Sequence, residues 1–164
     1  MGETRLEPGG TVDLTIGVDH SQFIVCDRDA EIDIDSYSDE ATAAGLATWA
    51  GGFAVFTDSH WAQCRVRLTL TETRPDPRLD GCDHAVEAAV EFASGRLELF
   101  GPEGAGMDQA VIVVSPGEYG LFVLGHEFGT ANEYGDDGGD TYTTRPWPGT
   151  VPATRVLKSG RPGM

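Results

Sequence analysis

The chain is short of cysteine, of methionine, of positive charge and of long apolar runs. Each shortage excludes something. Cys26, Cys64 and Cys82 are the three cysteines among 164 residues. Their number is odd and no two form a C-x-x-C pair, which argues against a secreted disulfide framework. Three reduced thiols in the cytoplasm are the expectation. Met1–Gly10 has no apolar core of the kind a secretory signal needs. No run approaches the roughly 20 apolar residues that span a bilayer. Eleven basic residues stand against 27 acidic ones, a net charge of −16. That excludes direct binding of nucleic acid or an anionic membrane, because counterion release needs clustered Lys and Arg. It favours a basic protein partner or a bound cation. Three methionines set against 22 glycines and nine prolines disfavour a helical bundle and suit a turn-rich β protein.

What is present is strand periodicity. Thr11–Val18 alternates, with Val12, Leu14 and Ile16 on one face. Gln22–Cys26 is a short apolar run, and Gly51-Gly52 separates two extended pieces, Leu46–Trp49 and Phe53–Thr57. From Trp61 to Leu70, Cys64, Val66 and Leu68 alternate with Arg65, Arg67 and Thr69. The period blurs in His84–Phe92, which reads as a strand because Gly95 sets it a hairpin's distance from Arg96–Phe100. Ala110–Val114, Glu118–Leu124 and Thr141–Trp147 complete the set. Only Asp39–Gly45 has the look of a helical turn. The expectation is an all-β, single-domain β-sandwich of about nine short, mostly antiparallel strands over residues 1–147. A flexible Pro/Gly-rich tail, 148–164, would follow. From Arg145 onward there are four basic residues (Arg145, Arg155, Lys158, Arg161) and no acidic one.

Catalytic and metal motifs fail on inspection. Gly125-His-Glu-Phe-Gly-Thr130 begins like H-E-x-x-H, but Thr130 stands where the second His must be, and no helix sets the spacing. Asp33–Asp39 offers Tyr37, Ser38 and Ala44 where a calcium loop needs an oxygen ligand, Gly and Glu. Gly101–Gly106 lacks the Lys of a phosphate loop. No nucleophile elbow surrounds any serine. No cofactor, metal or catalytic residue is therefore assigned. A cation site built from Asp136, Asp137 and Asp140 in the Glu127–Asp140 loop is the alternative, and would make the chain a small-ligand or cation-binding sandwich.

The most specific signal is acidic. Asp29, Glu31, Asp33 and Asp35 fall on alternate positions. As a strand they would share one face at intervals of about 6.6 Å, repelling one another by about 0.6 kcal/mol per neighbouring pair in water. Such a row suits an edge strand protected from other edges. It also suits a row of anions matched to a basic cleft, and these four residues are the candidate partner-binding set.

The order of several short stretches resembles the competence protein J family, nuclease inhibitors that pair with a nuclease of DNA uptake. The stretches are Ser21-Gln-Phe-Ile-Val25, Ser38-Asp-Glu-Ala41 with Gly45 after it, and Gly52-Phe-Ala-Val-Phe56. Val66-Arg-Leu68, Pro116-Gly-Glu-Tyr119 and Asp140-Thr-Tyr142 follow. Together they span residues 20–142. The resemblance implies a β-rich protein without catalysis that binds and inhibits a nuclease. The chain departs from it in the Arg74–Asp83 loop, the Glu127–Gly139 loop and the basic tail. The expected function is thus a non-catalytic acidic binding protein, an inhibitor or immunity-type partner of a nuclease or other basic enzyme, acting by occlusion of a basic cleft.

Overall fold

The computed structural model describes residues 3–18, 20–60, 62–101, 110–130 and 138–160. Trp61, Arg161, residues 102–106 of the Gly101–Gly106 loop, and Asp136 and Asp137 lie outside them. In chain order the strands are β1 (Glu3–Arg5), β2 (Thr11–Val18), β3 (Gln22–Asp27), β4 (Leu46–Trp49), β5 (Gly52–Phe56) and β6 (Ala62–Thr69). They continue with β7 (His84–Phe92), β8 (Arg96–Phe100), β9 (Ala110–Val113), β10 (Gly117–His126), β11 (Thr141–Pro148) and β12 (Arg155–Lys158). One short helix, α1 (Asp39–Ala44), precedes β4.

Two six-stranded sheets face each other, ordered β1-β9-β8-β3-β5-β4 and β12-β7-β10-β11-β6-β2. Only β1 with β9 and β11 with β6 pair in parallel among the described residues. The fold is an all-β sandwich, mostly antiparallel. The strands beyond the expected number include the short β1 and β12.

The core follows from the alternation. In β6, Cys64, Val66 and Leu68 are buried while Arg65 and Arg67 are exposed. They meet Phe23 and Val25 of β3, Phe53 and Val55 of β5, and Leu97 and Leu99 of β8 across the sandwich. The blurred period of β7 has a structural cause. Its outer face is also covered, because Ala85 packs with Phe122, Leu124, Trp147 and Cys82 under Leu79, Val151 and Leu157. The Arg74–Asp83 loop and the C-terminal segment supply that cover. Both reach the buried Glu87: Arg74 Nε lies 2.8 Å from Oε2, and Arg155 Nη2 lies 3.2 Å from Oε1. The Arg74 guanidinium also sits 4.9 Å from the Phe122 ring centroid.

The C-terminal segment therefore differs from the mobile tail expected of its composition. Arg155–Lys158 pairs antiparallel with β7, and the Gly160 N–H donates to His84 Nδ1 at 3.2 Å. The charge of Glu87 and the apolar side chains Val151 and Leu157 fix it, and composition alone does not report either contact.

At one end of the sandwich a single carboxylate joins three turns. Asp27, the last residue of β3, is 2% exposed. It accepts from the N–H of Ser94 (3.0 Å) and Gly95 (3.1 Å), from Ser94 Oγ (2.9 Å) and from the N–H of Asp29 (2.9 Å). Its own N–H donates to Gly51 O at 2.7 Å.

Two outcomes follow from this packing. Asp27→Ala should lower stability by about 3 kcal/mol, since buried donors aimed at a charge lose their partner. Urea unfolding should show a lower midpoint at unchanged slope. A loss under about 0.5 kcal/mol, the range of ordinary surface changes, would contradict the role. The second outcome concerns thiols, all three of which are buried and unpaired. Burial pushes Cys64 from its usual 9.0 up to about 12, and raises Cys26 and Cys82 as well. Because the folded value lies above the unfolded one, stability is fully present below pH 9 and is lost as pH rises toward 12. Denaturation midpoints measured across that range should fall, and Cys64→Ala should flatten the fall.

Candidate protein-interaction surface

The acidic row does not form a strand. β3 stops at Asp27 because its neighbours stop there: β5 begins at Gly52 opposite Cys26, and β8 offers Leu97 opposite Asp27. The Arg28 N–H makes one last bond to Arg96 O at 2.8 Å. Beyond it no strand pairs with the chain among the described residues. Asp29 lies in a turn, Glu31 to Asp33 are irregular, and Ile34–Ser36 form one 3₁₀ turn. The regular 6.6 Å spacing expected of Asp29, Glu31, Asp33 and Asp35 is thereby lost. All four carboxylates are exposed nonetheless. Asp39 and Glu40, in the first turn of α1, are exposed as well. Residues 28–40 thus carry six carboxylates and one basic residue, Arg28. None of the six is in an ion pair among the described residues.

The segment is held at its root and its turns. Gly51 has φ +93°, and a Cβ there would stand 2.4 Å from the Ala30 Cβ, so the β4–β5 turn can lie against the segment only as glycine. Asp33 Oδ1 accepts from the Asp35 N–H at 3.0 Å, and Ser36 Oγ donates to Asp33 O at 2.6 Å. Tyr37 is the main anchor. Its hydroxyl donates to Gln22 Oε1 at 2.7 Å, its ring stacks on Trp49 (6.2 Å, 21°), and it meets Phe56 edge-on (5.5 Å). Burial raises the Tyr37 hydroxyl above the ordinary tyrosine value. Ser38 caps α1 by accepting from the Ala41 N–H at 3.1 Å. Gly45, at φ +81°, ends the helix, and its N–H reaches Ala41 O at 2.9 Å. Ile24, Cys26, Trp49 and Ala54 form a small core under this cover on the outer face of the first sheet.

Sequence reasoning missed Asp27 and Tyr37 as anchors, and the two isoleucines inside the acidic row. As a strand, Ile32 and Ile34 would have been the buried face. Instead Ile32 is 39% and Ile34 78% exposed. The helical turn expected at Asp39–Gly45 is α1, with Ser38 ahead of Asp39 and Glu40 as its start.

The other candidates are occupied by structural work. His126 Nδ1 donates to Gly81 O at 2.9 Å, and Nε2 lies 3.5 Å from Thr143 Oγ1. Among the described residues no group of three His, Cys, Asp or Glu side chains is placed to hold a metal ion. Asp140 is 2% exposed. It accepts from the Ser59 N–H (3.2 Å), from Ser59 Oγ and from the Tyr142 hydroxyl (2.5 Å). That hydroxyl in turn accepts from the Asp58 N–H at 2.7 Å. Burial and the Asp140 charge raise Tyr142 far above its ordinary value. Asp140 is held in this network, and the other two carboxylates of the expected cation site, Asp136 and Asp137, lie outside the described residues. An open groove of about 580 Å³ on the outer face of the second sheet has Arg65 and Arg67 opposed by Asp13 and Glu127. Arg67 Nε lies 2.7 Å from Asp13 Oδ1, so the groove is close to neutral. Among the described residues no helix is long and apolar enough to cross a membrane.

No family model and no curated protein matches the chain. Two solved structures are similar to it. One is ComJ, inhibitor of the DNA degrading activity of NucA, from Bacillus subtilis, with a TM-score of 0.60 at 17% identity over 88% of this chain and 98% of that one. The other is the crocagin biosynthetic protein J, with a TM-score of 0.59 at 15% identity over 85% of this chain and 97% of that one. The similarity spans both sheets' worth of chain in each case, and the protein has a ComJ-like fold.

Proposed function

We propose that the chain is a non-catalytic, inhibitor-type protein that binds a nuclease and occludes its basic cleft. The observation that carries this reading is the segment 28–40: six exposed carboxylates, in no ion pair among the described residues, on a backbone anchored by Asp27 and Tyr37. A cleft that holds phosphates during DNA cleavage is lined with positive charge. Asp29, Glu31, Asp33 and Asp35, extended by Asp39 and Glu40, present anions to such a cleft without a cleavable bond. The net charge of −16 steers a cationic partner inward and repels nucleic acid from the same surface. The similarity to ComJ, whose named target is a nuclease, supports the choice of partner class. The chain is expected to act in the cytoplasm, as its reduced thiols suggest.

The test is DNA degradation by purified NucA titrated with this chain, together with co-purification from cells that make it. Inhibition should weaken by about tenfold between low and physiological salt. The quadruple variant D29N/E31Q/D33N/D35N should weaken it by a further tenfold or so at low salt, chiefly by slowing association. Its thermal midpoint should not fall, since like-charge repulsion is relieved. Inhibition untouched by the quadruple change would remove these carboxylates from the interface. No inhibition, combined with no nuclease co-purifying, would remove the reading itself.

A further inference from the structure

Ile34 is the most exposed large apolar residue among those described, at 78%, with Ile32 two residues away at 39%. Single exposed apolar residues are ordinary on protein surfaces. This one differs in how it is held. It opens the 3₁₀ turn that Asp33 caps, its carbonyl accepts from the Tyr37 N–H at 3.0 Å, and Tyr37 is clamped between Gln22, Trp49 and Phe56. The backbone that presents Ile34 is therefore fixed before any partner arrives, and little ordering entropy remains to be lost on binding.

Its surroundings state what can cover it. Asp33 and Asp35 flank it in sequence, and Asp29, Glu31, Asp39 and Glu40 lie on the same segment. A second copy would bring the same carboxylates against these, and like charges across an interface oppose it. A neutral apolar surface would strip water from the acids and return nothing. A basic partner returns a charge-assisted hydrogen bond for each. Beside the segment runs an open groove of about 430 Å³, with Asp35 and Glu40 in its wall and Leu46 and Val156 in its lining. Val156 is itself 42% exposed, and it lines the same groove as Asp35, the residue that follows Ile34.

The geometry points to Ile34, with Ile32 beside it, as the apolar anchor of the partner interface. It enters an apolar socket on a basic protein while the flanking carboxylates pair with Lys and Arg around the socket's rim. This rests on the assignment of residues 28–40 as the binding segment. It adds to that assignment a division of labour: the carboxylates set the rate of encounter, and the isoleucine sets the lifetime of the complex.

The experiment places a photo-crosslinking benzophenone amino acid at position 34, and as a control at Thr11 on β2, in cells that make the chain. The protein captured is identified by mass spectrometry, purified, and its association and dissociation rates are measured against the wild type, Ile34→Ala, Ile34→Val and D33N/D35N. Ile34 is exposed, so these changes leave the fold intact, and circular dichroism checks it. Ile34→Ala should weaken binding about tenfold or more, mainly by faster dissociation and with unchanged salt dependence, and Ile34→Val should restore most of it. D33N/D35N should instead slow association and flatten the salt dependence. A partner whose affinity moves less than about twofold on Ile34→Ala would overturn the anchor and leave the acidic surface standing. A partner that obeys the anchor pattern but is no nuclease would uphold the anchor and overturn the proposed target. Crosslinking at position 11 but not at 34 would overturn both.

Discussion

The buried carboxylate of Asp27 is the constraint from which the rest of this end of the molecule is built. It is the last residue of β3 and sits where the β7–β8 turn, the β4–β5 turn and the acidic segment converge. A charge with 2% exposure is tolerated because donors from Ser94, Gly95 and Asp29 surround it, as buried charge requires. The same contacts decide where the sheet ends. With Ser94 and Gly95 drawn in on one side and Gly51 on the other, β3 has no partner strand beyond this point. The chain must leave the sheet, and it leaves carrying Glu31, Asp33 and Asp35 outward.

The sandwich core is also only part of the packing. Each sheet has a second, smaller core on its outer face. On the first sheet the acidic segment covers Ile24, Cys26 and Ala54 through Tyr37 and Trp49. On the second, the Arg74–Asp83 loop and the C-terminal segment cover Phe122, Leu124 and Trp147. Glu87 plays there the role that Asp27 plays at the other site, except that its partners are two guanidinium groups brought from distant parts of the chain. The loop and the C-terminal segment are two of the three departures from the family resemblance. They act together, since Arg74 and Arg155 reach the same carboxylate.

How much of this was legible can be said residue by residue. β6 was clear because burial on one face only writes itself as alternation, Cys64-Val66-Leu68 against Arg65-Arg67. The β4–β5 hairpin was clear from Gly51-Gly52, and α1 from Ser38 and Gly45. β7 is a strand, but not through the hairpin to Arg96–Phe100 that Gly95 suggested: it pairs with β10 and β12, while β8 pairs with β3 and β9 in the other sheet, and cover on both faces of β7 erases its period. Of the candidate segment, exposure was legible and conformation was not: Asp29, Glu31, Asp33 and Asp35 are exposed, and they do not form a strand. A Glu-Ile-Asp-Ile-Asp alternation satisfies the pattern of a half-buried strand whether or not a neighbouring strand exists to receive it. Pairing is set by Gly52 and Arg96, far away in sequence, and no local pattern in 29–35 reports where those strands begin.

That failure bears on recognition. Had Asp29–Asp35 been a strand in the sheet, its backbone would have spent its hydrogen bonds on neighbours and its isoleucines on the core, leaving a flat row of charge. Flat charge in water is hydrated and screened, and contributes mainly to the rate of encounter. Leaving the sheet exchanges that row for a turn in which charge and apolar surface occupy one small, rigid protrusion. In the proposed interface the carboxylates would oppose contact between copies of the chain, and Ile34 would give them a dry contact beside which ion pairs are less screened. That arrangement depends on a backbone held by Tyr37 and on β3 pairing no further than Asp27 among the described residues.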